Sequence, residues 1–247
     1  MWHSVEVVDE TGSTNSDLIA RANSGAPIAG TVLIAEHQTA GRGRQGRSWA
    51  AARYAQITMS VAIDTARVPT EAWGWLPLAT GVAIVDTVTA LGVDAGLKWP
   101  NDVLAGDGKL AGILAEVAAE QRAVVVGIGL NVSLSADEVG VDGVTSLVGL
   151  GVAAPDRQRV IVALLNELGR RVDAWRRAGG ADRDLIADYR TRSLTLGRPV
   201  RAILPGDREI VGVARDVDDQ GRLSIDVDGQ TATVAAGDIV HLRPAGG

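Results

Sequence analysis

The sequence predicts an α+β fold, in which a mixed β-sheet with packed helices is followed by a small β-barrel. Two observations predict it. Up to about residue 192, helical and strand patterns interleave irregularly, unlike the regular alternation of a parallel-sheet fold. After about Ser193 the chain changes to short alternating runs between turn sequences. We therefore expect a large domain over residues 1–192 and a small one over residues 193–247.

The first half of the large domain predicts two helices and two strands. Thr14 to Asp17 form a capping-box pattern ahead of a short amphipathic helix. The apolar runs Thr31 to Glu36 and Ala55 to Ile63 are typical of buried strands. From Pro69 to about Gly92, apolar residues recur at intervals of three and four, which predicts a helix packed on the sheet.

The second half of this domain predicts two more strands and two more helices. Gly112 to Val117 and Ala123 to Leu134 are β-like runs joined by a short polar turn. A long apolar stripe from Ile161 to Trp175 indicates a helix that ends at Gly179-Gly180. A shorter helix is expected around Leu185 to Tyr189.

The last part of the chain predicts roughly five short strands. Alternation is clearest in Arg222 to Val227. Turn sequences at Pro205 to Asp207, Asp218 to Gly221 and Asp228-Gly229 separate the runs. This texture is typical of a small β-barrel.

Composition excludes several functional classes. The net charge of −6 disfavours a protein that works mainly on nucleic acid, because such proteins need a surplus of cations. Cysteine is absent, and His3, His37 and His241 lie far apart without metal-ligand spacing. No apolar run approaches the ~18 residues of a membrane helix, and Met1 to Glu10 is too acidic for a secretory signal. We expect a cytoplasmic protein with no DNA or membrane partner.

Gly41 to Arg47, called the arginine loop below, is the most informative segment. Its three glycines fit the spacing G-x-G-x-x-G, but a dinucleotide-binding fold requires a helix to begin within the loop. Here Arg47-Ser48-Trp49 leads into another β-like run, so the context argues against that fold.

Three other interpretations of the arginine loop remain. An ordinary charge run is a solvated loop without function. Three arginines separated by glycines in an acidic protein instead favour an anion-binding loop, with guanidinium groups for phosphate and glycines for backbone freedom. An RNA-binding Arg-Gly segment would occur in long disordered repeats, whereas this segment is single and lies between strands.

Five motifs of the sequence belong together. The three most specific are the arginine loop, Lys98 to Val103 (KWPNDV) and Lys109 to Leu114 (KLAGIL), and Gly12 to Asn15 and Glu36 to Ala40 are two more. In content and, for the three most specific, in order, these motifs resemble the signature set of biotin–protein ligases. The resemblance covers roughly Val5 to Asn131, and the last segment resembles the small SH3-like domain of prokaryotic members.

The resemblance implies a class II synthetase-like catalytic domain followed by an SH3-like β-barrel. It implies that ATP and biotin are the substrates, with Mg²⁺, and that they form biotinyl-5′-AMP and pyrophosphate. Biotin then passes to a lysine of a biotin carboxyl carrier domain of a biotin-dependent carboxylase.

Many bacterial relatives also carry an N-terminal helix-turn-helix and act as repressors. Ser13-Thr14-Asn15 lies close to the start of this sequence, so we expect a monofunctional ligase without that domain. Relatives pair through exposed sheet edges, and we expect a monomer or a weak homodimer.

Lys98 is the strongest catalytic candidate. Forming an acyl-adenylate brings a carboxylate to the α-phosphate of ATP, and an ammonium group beside both anions lowers their repulsion. A lone lysine is usually a solvated surface residue, but the surrounding motif favours catalysis. By resemblance, Arg42 and Arg44 also belong to the catalytic set, because they contact the biotin carboxylate and the adenylate phosphate.

The resemblance assigns the remaining candidates to two substrates. The expected biotin-binding residues are Ser13, Thr14, Asn15, Gln38, Gly41, Arg42, Gly43, Arg44, Lys98 and Gly112. The expected nucleotide-binding residues are Arg42, Arg44, Arg47, Trp49, Lys98, Asn101 and Asn131, with Trp49 stacked near adenine and Arg47 on the outgoing pyrophosphate.

Two of these assignments, and a possible metal-binding role of Asp102, have a structural alternative. Thr14 with Asp17 either caps a helix or also meets the ligand there. Asn131 ends a glycine-containing segment that is otherwise a buried strand. Asp102 either helps to place Mg²⁺ or orders its own loop.

Two other functions remain as hypotheses. A lipoate or other acyl-protein ligase shares the broad fold, but would not be expected to carry the contiguous arginine loop. A non-catalytic biotin-binding sensor would bind biotin without releasing pyrophosphate.

Overall fold

The computed structural model describes residues 1–50, 52–134, 143–204, 206, 208–235 and 237–242. Within them the chain forms two sheets, with helices packed on the larger one. The first sheet contains β1 (Ser4–Val8), β2 (Thr31–Ala35), β3 (Gln56–Asp64), β4 (Ala95–Lys98), β5 (Asp102–Ala105), β6 (Gly108–Ala118) and β7 (Ala123–Asn131). The helices are α1 (Thr14–Asn23), α2 (Trp75–Thr89), α3 (Arg157–Ala178) and α4 (Arg183–Arg192). The second sheet contains β8 (Pro199–Leu204), β9 (Arg208–Val217), β10 (Leu223–Val227), β11 (Gln230–Val234) and β12 (Asp238–His241).

The first sheet is mixed, as the sequence predicts. Its order is β1-β2-β3-β7-β6-β5-β4. The pair β1–β2 is parallel, and the other neighbours are antiparallel. The two faces differ, because Val32 and Ile34 enter the core under α2 and α3 whereas Leu33 between them enters a smaller cluster with α1.

Helix α2 is buried along almost its whole length, because it lies between the sheet and the helices α3 and α4. A cluster of ion pairs links these three helices. Arg171 on α3 is 4% exposed and pairs with Asp86 on α2 and with Asp188 on α4. Arg192 at the end of α4 also pairs with Asp86, at 2.7 Å.

The helix ends confirm one predicted boundary and correct another. Helix α3 begins after the N-cap Asp156 and ends at Gly179, whose φ of 71° lies in the left-handed region. Helix α1 is capped by Ser13, whose side chain accepts from the backbone N–H of Ser16. The predicted cap at Thr14 was therefore wrong by one residue, and Asp17 instead accepts from Thr11 Oγ1 at 2.5 Å.

The sequence patterns missed three strands, β1, β4 and β5. Strands β4 and β5 have four residues each and pair antiparallel around residues 99–101. Four-residue strands are too short for a clear alternation. As a result, the Lys98 motif was not placed on the tight hairpin that it forms.

The second sheet is antiparallel, in the order β11-β10-β9-β8-β12. It packs on the first domain through two tryptophans. Trp75 Nε1 donates to the carbonyl of Asp218 at 3.0 Å, and Trp99 Nε1 donates to the carbonyl of Gly221 at 3.0 Å. The predicted turn at residues 218–221 thus also contacts helix α2 and the turn between β4 and β5. Of the predicted turn at residues 205–207, only Gly206 lies within the described residues.

No helix in the described ranges is long and apolar enough to cross a membrane.

Candidate active site

A cavity of about 360 Å³ opens between the α1 side of the first sheet, the arginine loop and strand β12. It brings together most of the residues that the sequence selects. Those in its lining are Ser13, Thr14, Asn15, Gln38, Arg42, Gly43, Arg44, Arg47, Trp49, Lys98, Asn101, Asp102 and Gly112. Gly41 and Asn131 are not part of the lining.

The floor of the cavity is made by glycines of β6 and β7. Gly112 and Gly129 face each other across the two strands, and Gly127 follows on the same face of β7. A Cβ atom on Gly129 would lie 2.5 Å from the Trp49 ring, and one on Gly112 would lie 2.7 Å from it. A Cβ atom on Gly127 would overlap the side-chain amide of Asn15. The missing side chains therefore let Trp49 and Asn15 lie directly on the sheet.

One end of the cavity is a rigid cluster of amide and hydroxyl groups. Asn15 Nδ2 donates to Glu116 Oε2 at 2.9 Å and to the Leu114 carbonyl at 3.1 Å. Ser60 Oγ lies 2.6 Å from Asn15 Oδ1 and 2.7 Å from Thr14 Oγ1. Gln38 Oε1 accepts from the Thr14 backbone N–H at 2.9 Å. These fixed donors and acceptors suit a polar ligand group that has both.

The arginine loop lacks an α-helix. Residues Arg44–Gly46 make a single 3₁₀ turn, and the next element is strand β3. The structure thus agrees with rejecting a dinucleotide-binding fold. Gln45 (φ 54°) and Gly46 (φ 73°) make the turn in the left-handed region. Gly41 has a structural role, because a Cβ there would overlap the backbone of Trp49.

Each arginine of the loop has a partner. Arg42 pairs with Glu116 at 3.1 Å. Arg44 donates to Asn101 Oδ1 at 3.2 Å and to the Gly237 carbonyl at 3.2 Å. Arg47 pairs with Asp238 on β12 at 2.9 Å. The second sheet therefore holds the loop over the cavity.

Burial lowers the pKa of Arg44, and Arg47 lowers it further, whereas Asp238 and Asp102 oppose the shift. Arginine nevertheless stays charged at neutral pH. A partly desolvated guanidinium that is only partly compensated is a strong site for an anion.

Lys98 and Lys109 are the only lysines of the sequence, and both line the cavity. Lys109 Nζ lies 2.7 Å from Asp102 Oδ1 and 5.3 Å from the centroid of the Trp49 ring. Among the described residues, no ion pair or hydrogen bond involves the ammonium group of Lys98. Its charge is available to a ligand.

The structure does not support a carboxylate cage for a metal. No group of three or more His, Cys, Asp or Glu side chains in the described ranges is arranged to hold an ion. Asp102 is engaged by Lys109.

Asn131 braces the end of β7 below the cavity. It is 1% exposed, its Nδ2 donates to the carbonyls of Lys109 (3.2 Å) and Thr145 (2.9 Å), and its Oδ1 accepts from Gln56 at 2.8 Å. Unlike Asn15, Asn131 lies outside the lining of the cavity. The geometry favours the buried-strand alternative for this residue.

Sequence reasoning missed several residues of the site. Ser60 and Glu116 hold Asn15, and Asp238 holds the arginine loop. Ser60 gives a weak signal, because it is a hydroxyl within the apolar run of β3. Asp238 gives no signal in the sequence, since only the tertiary fold brings β12 to the loop.

The fold is that of solved biotin protein ligases. The structure titled "Biotin protein ligase from Aquifex aeolicus in complex with biotin and ATP" superposes with a TM-score of 0.83 at 24% identity, covering 98% of this chain and 100% of that one. The sequence matches the family model "Biotin/lipoate A/B protein ligase family" over residues 7–133. Residues 195–242 match "Biotin protein ligase C terminal domain". The chain belongs to the biotin/lipoate A/B protein ligase family.

Two characterised relatives cover nearly all of this chain. The biotin--[acetyl-CoA-carboxylase] ligase of Mycobacterium tuberculosis is 59% identical over 246 residues, which is 98% of this chain and 90% of that protein. The bifunctional ligase/repressor BirA of Escherichia coli is 34% identical over 248 residues, which is 98% of this chain and 75% of that protein.

Proposed function

We propose that this protein is a biotin–protein ligase. It activates biotin with ATP to biotinyl-5′-AMP and then transfers biotin to a lysine of an acceptor domain. The observation that carries the proposal is that the arginine loop, the Lys98 motif and the Ser13-Thr14-Asn15 segment line the same cavity. The 59% identical ligase of M. tuberculosis supports the same activity.

The first step is governed by charge. A carboxylate oxygen of biotin attacks the α-phosphorus of ATP, the bond to the β-phosphate breaks, and pyrophosphate leaves. The attacking and attacked groups are both anionic, so cations must lie between them. Lys98, Arg42 and Arg44 all line the cavity, and Lys98 is not neutralised by a carboxylate among the described residues.

The two ends of the cavity suit the two ends of the intermediate. The Asn15 cluster offers fixed donors and acceptors for the ureido ring of biotin. Trp49, on the glycine floor, offers an aromatic face for adenine, and Arg47 in the lining offers a cation for pyrophosphate. Mg²⁺, when bound to the nucleotide, supplies charge neutralisation for the phosphates.

The second step needs no protein nucleophile. The lysine amine of the acceptor attacks the carbonyl carbon of the mixed anhydride, the bond to the phosphate oxygen breaks, AMP leaves, and the amine loses a proton. The proposed acceptors are biotin carboxyl carrier domains of biotin-dependent carboxylases. We further propose a cytoplasmic enzyme that works as a monomer or weak homodimer, with no DNA or membrane partner.

The test is pyrophosphate release from purified protein with biotin and Mg·ATP, followed by biotin transfer to an acceptor domain. Parallel reactions with lipoate distinguish a lipoate ligase. Biotin binding without pyrophosphate would indicate a sensor, and either result would refute the proposal.

A variant series tests the role of Lys98. We expect Lys98→Ala to lower the rate of pyrophosphate release by about 10²–10³-fold, as for loss of one transition-state donor. Arg170→Ala also removes one positive charge, from an exposed site on α3, and should change nothing. If Lys98→Ala kept the full rate, the catalytic assignment would be wrong although the function would stand.

A further inference from the structure

The strand that carries Lys98 is attached on its far side to the segment between α4 and β8. The backbone N–H of Leu194 donates to the carbonyl of Leu97 at 2.8 Å, and Leu97 and Ser193 form a parallel bridge. The Leu194 side chain fills the space over Gly96, where a Cβ would lie 2.5 Å from it. Both neighbours of Lys98, Leu97 and Trp99, are anchored in this region.

The anchor of Trp99 is a buried chain of hydrogen bonds. Thr195 is fully buried, and its Oγ1 accepts from the Trp99 backbone N–H at 3.1 Å. The same oxygen lies 3.1 Å from Nε2 of His241 on β12. The hydroxyl accepts from Trp99 and still has one proton to donate, so a neutral imidazole with its proton on Nδ1 can accept that proton at Nε2.

The surroundings keep His241 neutral. Burial lowers its pKa below the usual 6.5, and the nearby cations Lys98 on β4 and Arg198 before β8 lower it further. At pH 7 the imidazole is therefore neutral, so it can accept from Thr195 and leaves the charge of Lys98 uncompensated. A carboxylate at position 241 would instead compete with the substrates for Lys98.

Lys98 depends on its backbone for position. Its side chain has four rotatable bonds, and no hydrogen bond or ion pair among the described residues holds its ammonium group. The direction of the side chain is thus set by the backbone from Leu97 to Trp99. A displacement of ~1 Å in such a group can cost ~10²-fold in rate.

We propose that Thr195 and His241 are positioning residues for Lys98, through which the second sheet fixes the catalytic lysine. This inference rests on the ligase activity proposed above. It gives the second sheet a defined task in the first chemical step, distinct from contact with the acceptor.

The first test compares Thr195→Val with Thr195→Ser. Thr195→Val removes the hydroxyl and keeps the shape, and we expect kcat for pyrophosphate release to fall about 10–100-fold. The KM for biotin and for ATP should change less than about threefold, because positioning acts on the reacting groups. Thr195→Ser should restore kcat. His241→Gln keeps an acceptor near Nε2, so its kcat should be higher than that of His241→Ala.

Thr87→Val is the matched control. It removes a buried hydroxyl that donates to the Ala83 carbonyl at 2.7 Å, within α2 and outside the cavity. It should leave kcat unchanged. The inference is overturned if Thr195→Val and Thr195→Ser have the same kcat, or if Thr195→Val lowers kcat no more than Thr87→Val does. If Thr195→Val does not fold, the His241 variants are compared instead, and equal kcat values for His241→Gln and His241→Ala overturn the inference.

A second readout does not need activity. Lysine labelled with ¹³C at Cε gives two signals, because the chain contains only Lys98 and Lys109. Thr195→Val should shift or broaden the Lys98 signal, whereas Thr195→Ser should not. An unchanged Lys98 signal would overturn the inference even if the protein proved not to be a ligase. Absent pyrophosphate release by the natural sequence would refute the proposed function alone.

Discussion

Two glycines on the cavity floor offer a test that separates the two substrates. In Gly129→Ala the new methyl would lie 2.5 Å from the Trp49 ring. Carbon atoms pack at about 3.5–4.0 Å, so the ring must move by about 1 Å. Trp49 is partly exposed and moves more easily than the sheet beneath it. Because base–aromatic stacking contributes about 1–3 kcal/mol, the KM for ATP should rise about tenfold or more.

Gly127→Ala places the same methyl two residues away on the same strand. Here it meets Asn15, which Ser60 and Glu116 hold at 2.6 and 2.9 Å. We expect the KM for biotin to rise about tenfold or more, as for overpacking worth about 1–3 kcal/mol. The KM for ATP should change little.

The assay measures pyrophosphate release at varied biotin with saturating ATP, and at varied ATP with saturating biotin. Thermal unfolding of both variants serves as the control for folding. If both variants raised both KM values equally, the floor would not separate a biotin end from an adenine end. The assignment of Trp49 and Asn15 to different substrates would then be refuted.

Three further predictions concern charge. Asp238→Asn should free the arginine loop, so trypsin should cleave at Arg47 faster while stability changes by only about 0–1 kcal/mol; equal cleavage rates would refute the role of Asp238 in holding the loop. Arg171→Met leaves Asp86 without its buried partner and should lower the free energy of unfolding in urea by about 3–5 kcal/mol; a loss below about 1 kcal/mol would contradict this. The pKa of His241 is lowered from 6.5 by burial and by neighbouring cations, so below 6.5 the folded chain binds fewer protons than the unfolded chain. The stability present above pH 6.5 should therefore fall as the pH drops through the folded pKa, and His241→Gln should lack this step in urea titrations.

Local signals accounted for much of the fold. The apolar stripe and Gly179-Gly180 gave the long helix α3, because helix periodicity and a left-handed terminus depend on nearby residues only. The hairpin of β4 and β5 was not predicted, because strands of four residues are too short to show a clear alternation. The predicted cap of α1 was wrong by one residue because the Thr14 hydroxyl is hydrogen-bonded to Gln38 and Ser60, which lie far away in the sequence.

The residues of the site were also predicted only in part. Motifs selected residues that the structure gathers around one cavity, including Lys98, Trp49 and Asn15. The residues that fix them in place, such as Asp238 and Thr195, came only from the structure. Their partners lie in distant parts of the sequence, so no spacing rule relates them.

The confinement of both lysines to the cavity has a chemical consequence for the exterior of the protein. Biotinyl-5′-AMP is an acylating agent for amines, and guanidinium groups are too weakly nucleophilic at neutral pH to compete. Biotinyl-5′-AMP that leaves the site would meet no lysine of the enzyme outside the pocket. Any amine-directed reagent is subject to the same restriction, apart from the α-amino group. The reaction of such reagents with lysine therefore reports on whether the pocket is occupied. The arginine-rich exterior keeps its positive charges without offering a target to the reactive product that the enzyme makes.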